Sequence, residues 1–183
     1  MSQRTLALEL LSPDRGDSSI SSYHLALARF HLLRGEHDSA EATLEEALIH
    51  NIQNPDTWAL WGHLHHARAD YAQAQSCYER TLDSVLDASD THSVYLRLGS
   101  IYLQDRELEE LSEAEEALTE ANALNNRNPE VWAYLCLVCL QTGRKLEAEQ
   151  SYKYAMKMNL QKESLLQEIH DLQSRVGFGN PSF

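Results

Sequence analysis

A short frame of aromatic, bulky and small residues recurs along the chain at a period of thirty-odd residues, and that recurrence constrains the fold more than any other feature. Trp58-Ala59-Leu60-Trp61-Gly62 states the frame, and Tyr95-Leu96-Arg97-Leu98-Gly99-Ser100-Ile101-Tyr102 extends it. Trp132-Ala133-Tyr134-Leu135-Cys136 repeats it with Cys in the small position, and a weaker copy runs from Leu27-Ala28 to His31. The small positions are therefore Ala28, Gly62, Gly99 and Cys136, which lie 34, 37 and 37 residues apart. A second track keeps step with the first. Ala40, Ala74, Ala114 and Ala148 are followed seven residues later by Ala47, Thr81, Ala121 and Ala155, with Leu44, Tyr78, Leu118 and Tyr152 between them. Offsets of four and three put each trio on one helical face, where small residues admit a neighbouring helix and the bulky one fills its groove.

A helix with a small contact point followed by a helix reading Ala-x3-bulky-x2-Ala resembles the tetratricopeptide repeat. The resemblance implies an all-α chain: a right-handed superhelical solenoid of helical hairpins. The expected repeats are 21–54, 55–91, 92–128 and 129–162. The intervals of 37 and 40 locate three-residue insertions within Ser84–Thr91 and within Asp105–Leu111. Asn54-Pro55 and Asn128-Pro129 place Pro in a first helical turn, where its missing N–H costs little. Asp90 is a candidate cap for the next first helix, and Gly35 and Gly143 fall at equivalent turns. Leu165, Leu166, Ile169, Leu172 and Val176 predict a capping helix over 163–176, with a tail at 177–183. Gln3 to Leu11 reads as a short helix joined by a Ser/Asp/Pro/Gly linker to residue 21, and fits the last turns of an upstream repeat in a longer protein.

The last part of the chain carries a narrower likeness. Glu147-Ala148-Glu149-Gln150-Ser151-Tyr152-Lys153-Tyr154-Ala155, then Leu165-Leu166-Gln167-Glu168-Ile169-His170, then Val176-Gly177-Phe178-Gly179-Asn180-Pro181-Ser182-Phe183 resemble the C-terminal end of the cilia- and flagella-associated protein seventy family. That resemblance implies a ciliary or flagellar axonemal scaffold that supports motility. The repeats alone also suit a cytosolic co-chaperone or assembly adaptor. The carboxylate clamp of such adaptors uses Lys, Asn and Arg; here its positions hold Arg29, His63, Ser100 and Leu137, so the clamp is absent as a set.

Composition narrows the partners. The 183 residues carry a net charge of −13, which disfavours nucleic acid and anionic membrane and suits basic protein surfaces. The N-terminus lacks a basic segment followed by an apolar run, so no secretory leader is expected. Val131 to Leu140, the longest apolar run, is about half a bilayer span. Three Cys without a staple pattern fit a reducing compartment, which points to the cytoplasm.

Three clusters invite chemistry, and each has a plainer reading. His63 and His66 share a helix face at a spacing that could seat two zinc ligands, but no further ligand completes the set. Cys136 and Cys139 fall in packing columns, as does Cys77. Glu107, Glu109, Glu110, Glu113, Glu115, Glu116 and Glu120 form a helical acidic face that suits a basic partner. No phosphate loop or nucleophilic triad is present, so no enzyme, metal or cofactor is expected. First helices line the concave groove of such solenoids, which marks Leu25, Arg29, His63, His66, Leu96, Arg97, Ser100, Gln104, Leu137 and Gln141 as candidates to hold a peptide or helix. Arg29 and Arg97 are favoured because guanidinium forks grip carboxylates and carbonyls.

Overall fold

In the computed structural model, residues 13–84, 88–104 and 108–177 are described. Nine helices and no strand occur among them. They are α1 (Pro13–Leu33), α2 (His37–His50), α3 (Pro55–Ala67), α4 (Tyr71–Leu82), α5 (Thr91–Tyr102), α6 (Leu108–Leu124), α7 (Pro129–Gln141), α8 (Lys145–Lys157) and α9 (Glu163–Val176). Successive helices pair as the hairpins α1–α2, α3–α4, α5–α6 and α7–α8. The chain divides into two compact units, Met1–Asp90 and Thr91–Phe183. The division falls inside the window of the first expected insertion. Residues 85–87 and 105–107, on which the two insertions fall in part, lie outside the described residues, as do Gln3 to Leu11 and the tail beyond Gly177.

One expectation fails at the start. The linker placed before residue 21 is helical from Pro13 onward, so α1 begins eight residues ahead of the register shared by Pro55 and Pro129. Proline is tolerated in a first helical turn, and the two aspartates that follow it in sequence favour the positive end of the helix dipole.

The first unit is organised by its small columns. Ala28, Ala40, Leu44 and Ala47 are fully buried, with Leu25, Leu60 and Leu64 beside them and Leu32 and Trp61 against the edge. Gly62 is the close-approach point of the second hairpin. A Cβ there would lie 2.6 Å from Tyr78 Cδ1 and nearer still to Cε1, so only glycine admits the buried ring. Gly99 does the same in the second unit, where a Cβ would meet Leu118 Cγ at 2.6 Å. The second unit has the larger core, running from Leu96 through Leu111, Leu118, Val131 and Val138 to Leu165 and Ile169. Helix α9 packs on α7 through Leu165 and Ile169 and stops at Gly177, whose φ of +65° is a left-handed cap.

The turns into α3 and α7 share one construction. The Asn54 and Asn128 side chains accept from the N–H of Asp56 and Glu130, at 2.9 and 3.0 Å. Trp58 Nε1 donates to the Ile52 carbonyl and Trp132 Nε1 to the Asn126 carbonyl. Each indole is backed by the residue 22 positions on: the Arg80 guanidinium over Trp58 at 3.7 Å, the Tyr154 ring over Trp132 at 4.8 Å. The recurring aromatic thus anchors the preceding turn from outside the core.

Candidate functional site

The first helices position the candidate residues, and each unit is taken by itself. In the first unit, Arg29 Nη2 donates to Ser89 Oγ at 2.7 Å and stands 3.8 Å from Asp56 Oδ1. Asp56 in turn accepts from the backbone N–H and the hydroxyl of Ser89, at 2.7 and 2.8 Å. His63 Nδ1 is 2.8 Å from the Tyr78 hydroxyl, and His66 meets the Tyr71 ring edge-on. His65 stacks on Trp61 and lies 3.5 Å from Asp70. The three histidine rings therefore turn to three different partners. Among the described residues, no three His, Cys, Asp or Glu side chains converge as metal ligands would.

In the second unit, Arg97 Nη1 approaches Glu130 Oε2 at 3.7 Å, and Lys162 Nζ donates to the same oxygen at 3.0 Å. Ser100 is buried, its hydroxyl donating to the Arg97 carbonyl at 2.7 Å. Gln104 is exposed and Gln141 half-buried. Leu25, Leu96 and Leu137 are core residues and offer nothing to a ligand, which corrects their reading as groove positions. The cause is packing by helices of both the same and the adjacent hairpin, which close over the face left open by helical spacing alone.

The acidic partners of the two arginines, Asp56 and Glu130, went unremarked in the sequence. Their signal was the repeated triplet Asn-Pro-acid at 54–56 and 128–130. A carboxylate at the second helical position reaches the first helix of the hairpin before it. On the acidic helix, Glu115 is taken by Arg144 in a bidentate pair at 2.7 and 2.8 Å, and Arg144 also holds Glu147 at 3.0 Å. Glu113, Glu116 and Glu120 remain exposed, whereas Glu107 and the Glu109 side chain lie outside the described residues.

Cys77, Cys136 and Cys139 are buried free thiols. Burial pushes Cys136 up to about 12 and Cys139 up to about 11, from an ordinary 9.0, and raises Cys77 as well. The native thiols keep their protons where an unfolded chain has released them. Stability is therefore unaffected by these groups below pH 9 and falls as pH rises from there toward 11 to 12. Urea midpoints are expected to drop between pH 8 and pH 10.5, and the drop to shrink in Cys136→Ala. An equal drop in that variant would remove this cause.

The repeated hairpins and their small-residue columns define the class: the chain is a tetratricopeptide-repeat protein, and the tetratricopeptide repeat family model matches residues 60–110. Within that class, residues 106–176 match the model described as the cilia and flagella-associated protein 70 C-terminal domain. The human protein named cilia- and flagella-associated protein 70 is 48% identical over 210 aligned residues, covering 98% of this chain and 19% of the human one. The Macaca fascicularis protein of the same name is 52% identical over 139 residues, 60% of this chain and 14% of its own length. The chain thus spans a fifth or less of these relatives. Among solved structures, pilF of Pseudomonas aeruginosa superposes with a TM-score of 0.67 at 22% identity, covering 87% of this chain and 70% of that one. That likeness shows the solenoid fold.

Proposed function

We propose that this chain is a non-enzymatic scaffold that holds other proteins in a cilium or flagellum, as a component of the axoneme that supports motility. The observation carrying this reading is the 48% identity to cilia- and flagella-associated protein 70 across 98% of the chain. The fold supports it too, because helical hairpins of this kind present rows of helix faces on which another protein can lie. The partner-facing residues in this reading are Arg29, His63 and His66 in the first unit and Arg97, Gln104 and Gln141 in the second. In each unit an arginine is held beside an acid and a second polar group, a mixed-charge surface that selects a peptide by pattern and not by net charge. Exposed Glu113, Glu116 and Glu120 supply a separate face for a basic partner.

A tagged copy of the full chain, expressed in ciliated cells, is expected to concentrate along the cilium and to resist detergent extraction with the axoneme. Uniform cytoplasmic signal with exclusion from the cilium would sink the ciliary reading. Arg29→Ala and Arg97→Ala are expected to weaken that retention while changing the unfolding free energy from urea titration by no more than about 1 kcal/mol, since Arg29 is exposed, Arg97 only half-buried, and the ion pair of each is partly solvated.

A further inference from the structure

In the second unit the aromatic stack outside the core is flanked by two cations without acidic partners. Trp132 Nε1 donates to the Asn126 carbonyl at 2.8 Å, and the Tyr154 ring lies over the indole at 4.8 Å. Arg127 follows Asn126 in the turn, and Lys157 lies one helical turn beyond Tyr154; both are exposed. Leu124, 55% exposed at the end of α6, and Tyr154, 45% exposed, add an apolar edge. No carboxylate pairs with the Arg127 guanidinium or the Lys157 ammonium among the described residues. Arg34, Arg68, Arg144 and Lys153, by contrast, each hold a carboxylate at 2.5 to 3.1 Å.

The repeat register shows that the fold does not require these charges. Subtracting 74 takes Trp132 to Trp58 and Tyr154 to Arg80, whose guanidinium covers the Trp58 indole as Tyr154 covers Trp132. The same shift takes Arg127 to Gln53 and Lys157 to Asp83. The first unit therefore builds the same turn and stack with a neutral residue and an acid at these two positions. The helix dipole favours Lys157 at the end of α8, but Asp83 stands at the corresponding end of α4, so that preference does not decide the residue. In a chain of net charge −13, two unpaired cations beside an exposed aromatic are left for a ligand to neutralise.

We infer that Arg127, Trp132, Tyr154 and Lys157 form a docking surface for a short extended segment of a partner protein, in which one aromatic side chain is flanked by carboxylates. The stacked rings receive the aromatic side chain, and the two cations receive the acids on either side of it. Charge complementarity selects this occupant, and the neighbouring acids limit its length. Glu113, Glu116 and Glu120 are exposed on α6, the helix that leads into the turn, so a long polyanion such as nucleic acid is repelled. Carboxylates confined to the stack are nearer the two cations than those acids.

The assignment rests on the reading of the chain as a protein-holding scaffold, but the two are measured separately: ciliary retention reports on the scaffold, and peptide binding on this face alone. The test follows the Trp132 indole N–H resonance of the isotope-labelled full chain during titration with an acetylated, amidated pentapeptide. That peptide carries two glutamates on each side of one phenylalanine. A saturable shift with a Kd of about 100 µM is expected at about 0.05 M salt, weakening about fivefold at about 0.5 M. Arg127→Gln with Lys157→Gln is expected to weaken binding about tenfold with helix content unchanged, because both side chains are exposed. Arg127→Lys with Lys157→Arg, which keeps both charges, is expected to stay within about twofold of the parent. No saturable shift up to about 2 mM would overturn the assignment, as would equal binding of the glutamine counterpart or parental affinity in the glutamine double variant. A chain that sediments as a dimer and is split by the glutamine substitutions gives the face to a second copy. Tighter binding of a short DNA duplex than of the peptide gives it to nucleic acid, and either result overturns the assignment equally.

Discussion

Tyr78→Ala is expected to lower the stability of the first unit by about 3–5 kcal/mol, the range for truncating a large buried aromatic. Tyr78 is fully buried, its ring fills the notch at Gly62, and its hydroxyl meets His63 Nδ1 at 2.8 Å. Truncation empties the notch and removes that hydrogen bond at once. Gly62→Ala probes the same contact from the opposite side. Alanine gains about 1 kcal/mol of helix propensity over glycine, yet its Cβ would overlap a ring that has no free direction in which to move. A net loss of about 1–2 kcal/mol is expected once an overpacking cost of about 1–3 is set against that gain. In the Tyr78→Ala background the clash is gone, so the same change becomes neutral or stabilising. Urea titrations of the four proteins in the cycle measure the coupling. A Gly62→Ala variant more stable than the parent would show that the notch has room.

That contact shows what the sequence makes legible. Gly62 and Tyr78 stand in columns visible by arithmetic, because a small residue and a bulky one recur together wherever two helices must approach closely. Fold class follows from such columns, since each is a constraint on packing that survives changes of neighbour. Turns were legible only in part. Gly35 and Gly143 announce left-handed turns at φ +71° and +76°, but the equivalent turn of the second hairpin uses Ala69 at φ +60°. A Cβ in that region is strained and leaves no letter to notice. The N-terminal linker misled for the opposite reason. Ser, Asp, Pro and Gly are read as breakers, yet Pro and Asp are also good residues for beginning a helix. The candidate site was least legible. Helical spacing gives the direction of a side chain from its own axis, whereas exposure depends on which other helix lies there. Arg29 is exposed and Arg97 half-buried, whereas Leu25, Leu96 and Leu137 are buried.

Leu137→Ala is expected to cost about 2–5 kcal/mol, the range for deleting a buried leucine side chain, and not to act as a selective loss of binding. Leu137 is 1% exposed within a core that also holds Val131, Ala133, Cys136, Val138, Cys139 and Leu140 of the same helix. An amphipathic helix buries one stripe, so its open face can be read from the pattern; α7 is apolar nearly all round and has no such stripe. The reason is its place in the second unit, where α5, α6, α8 and α9 all pack against it. Each face of α7 belongs to a different neighbour, and Leu137 fills space that no backbone shift can close without moving several helices. Leu137→Met, close in volume, is expected to cost less than about 1.5 kcal/mol. Gln141→Ala, one turn later and only half-buried, should fall within about 0.5 kcal/mol of the parent. Urea midpoints separate the three. A Leu137→Ala chain with the parental midpoint would return that residue to the surface, while the expected large loss makes α7 the element on which the second unit is assembled.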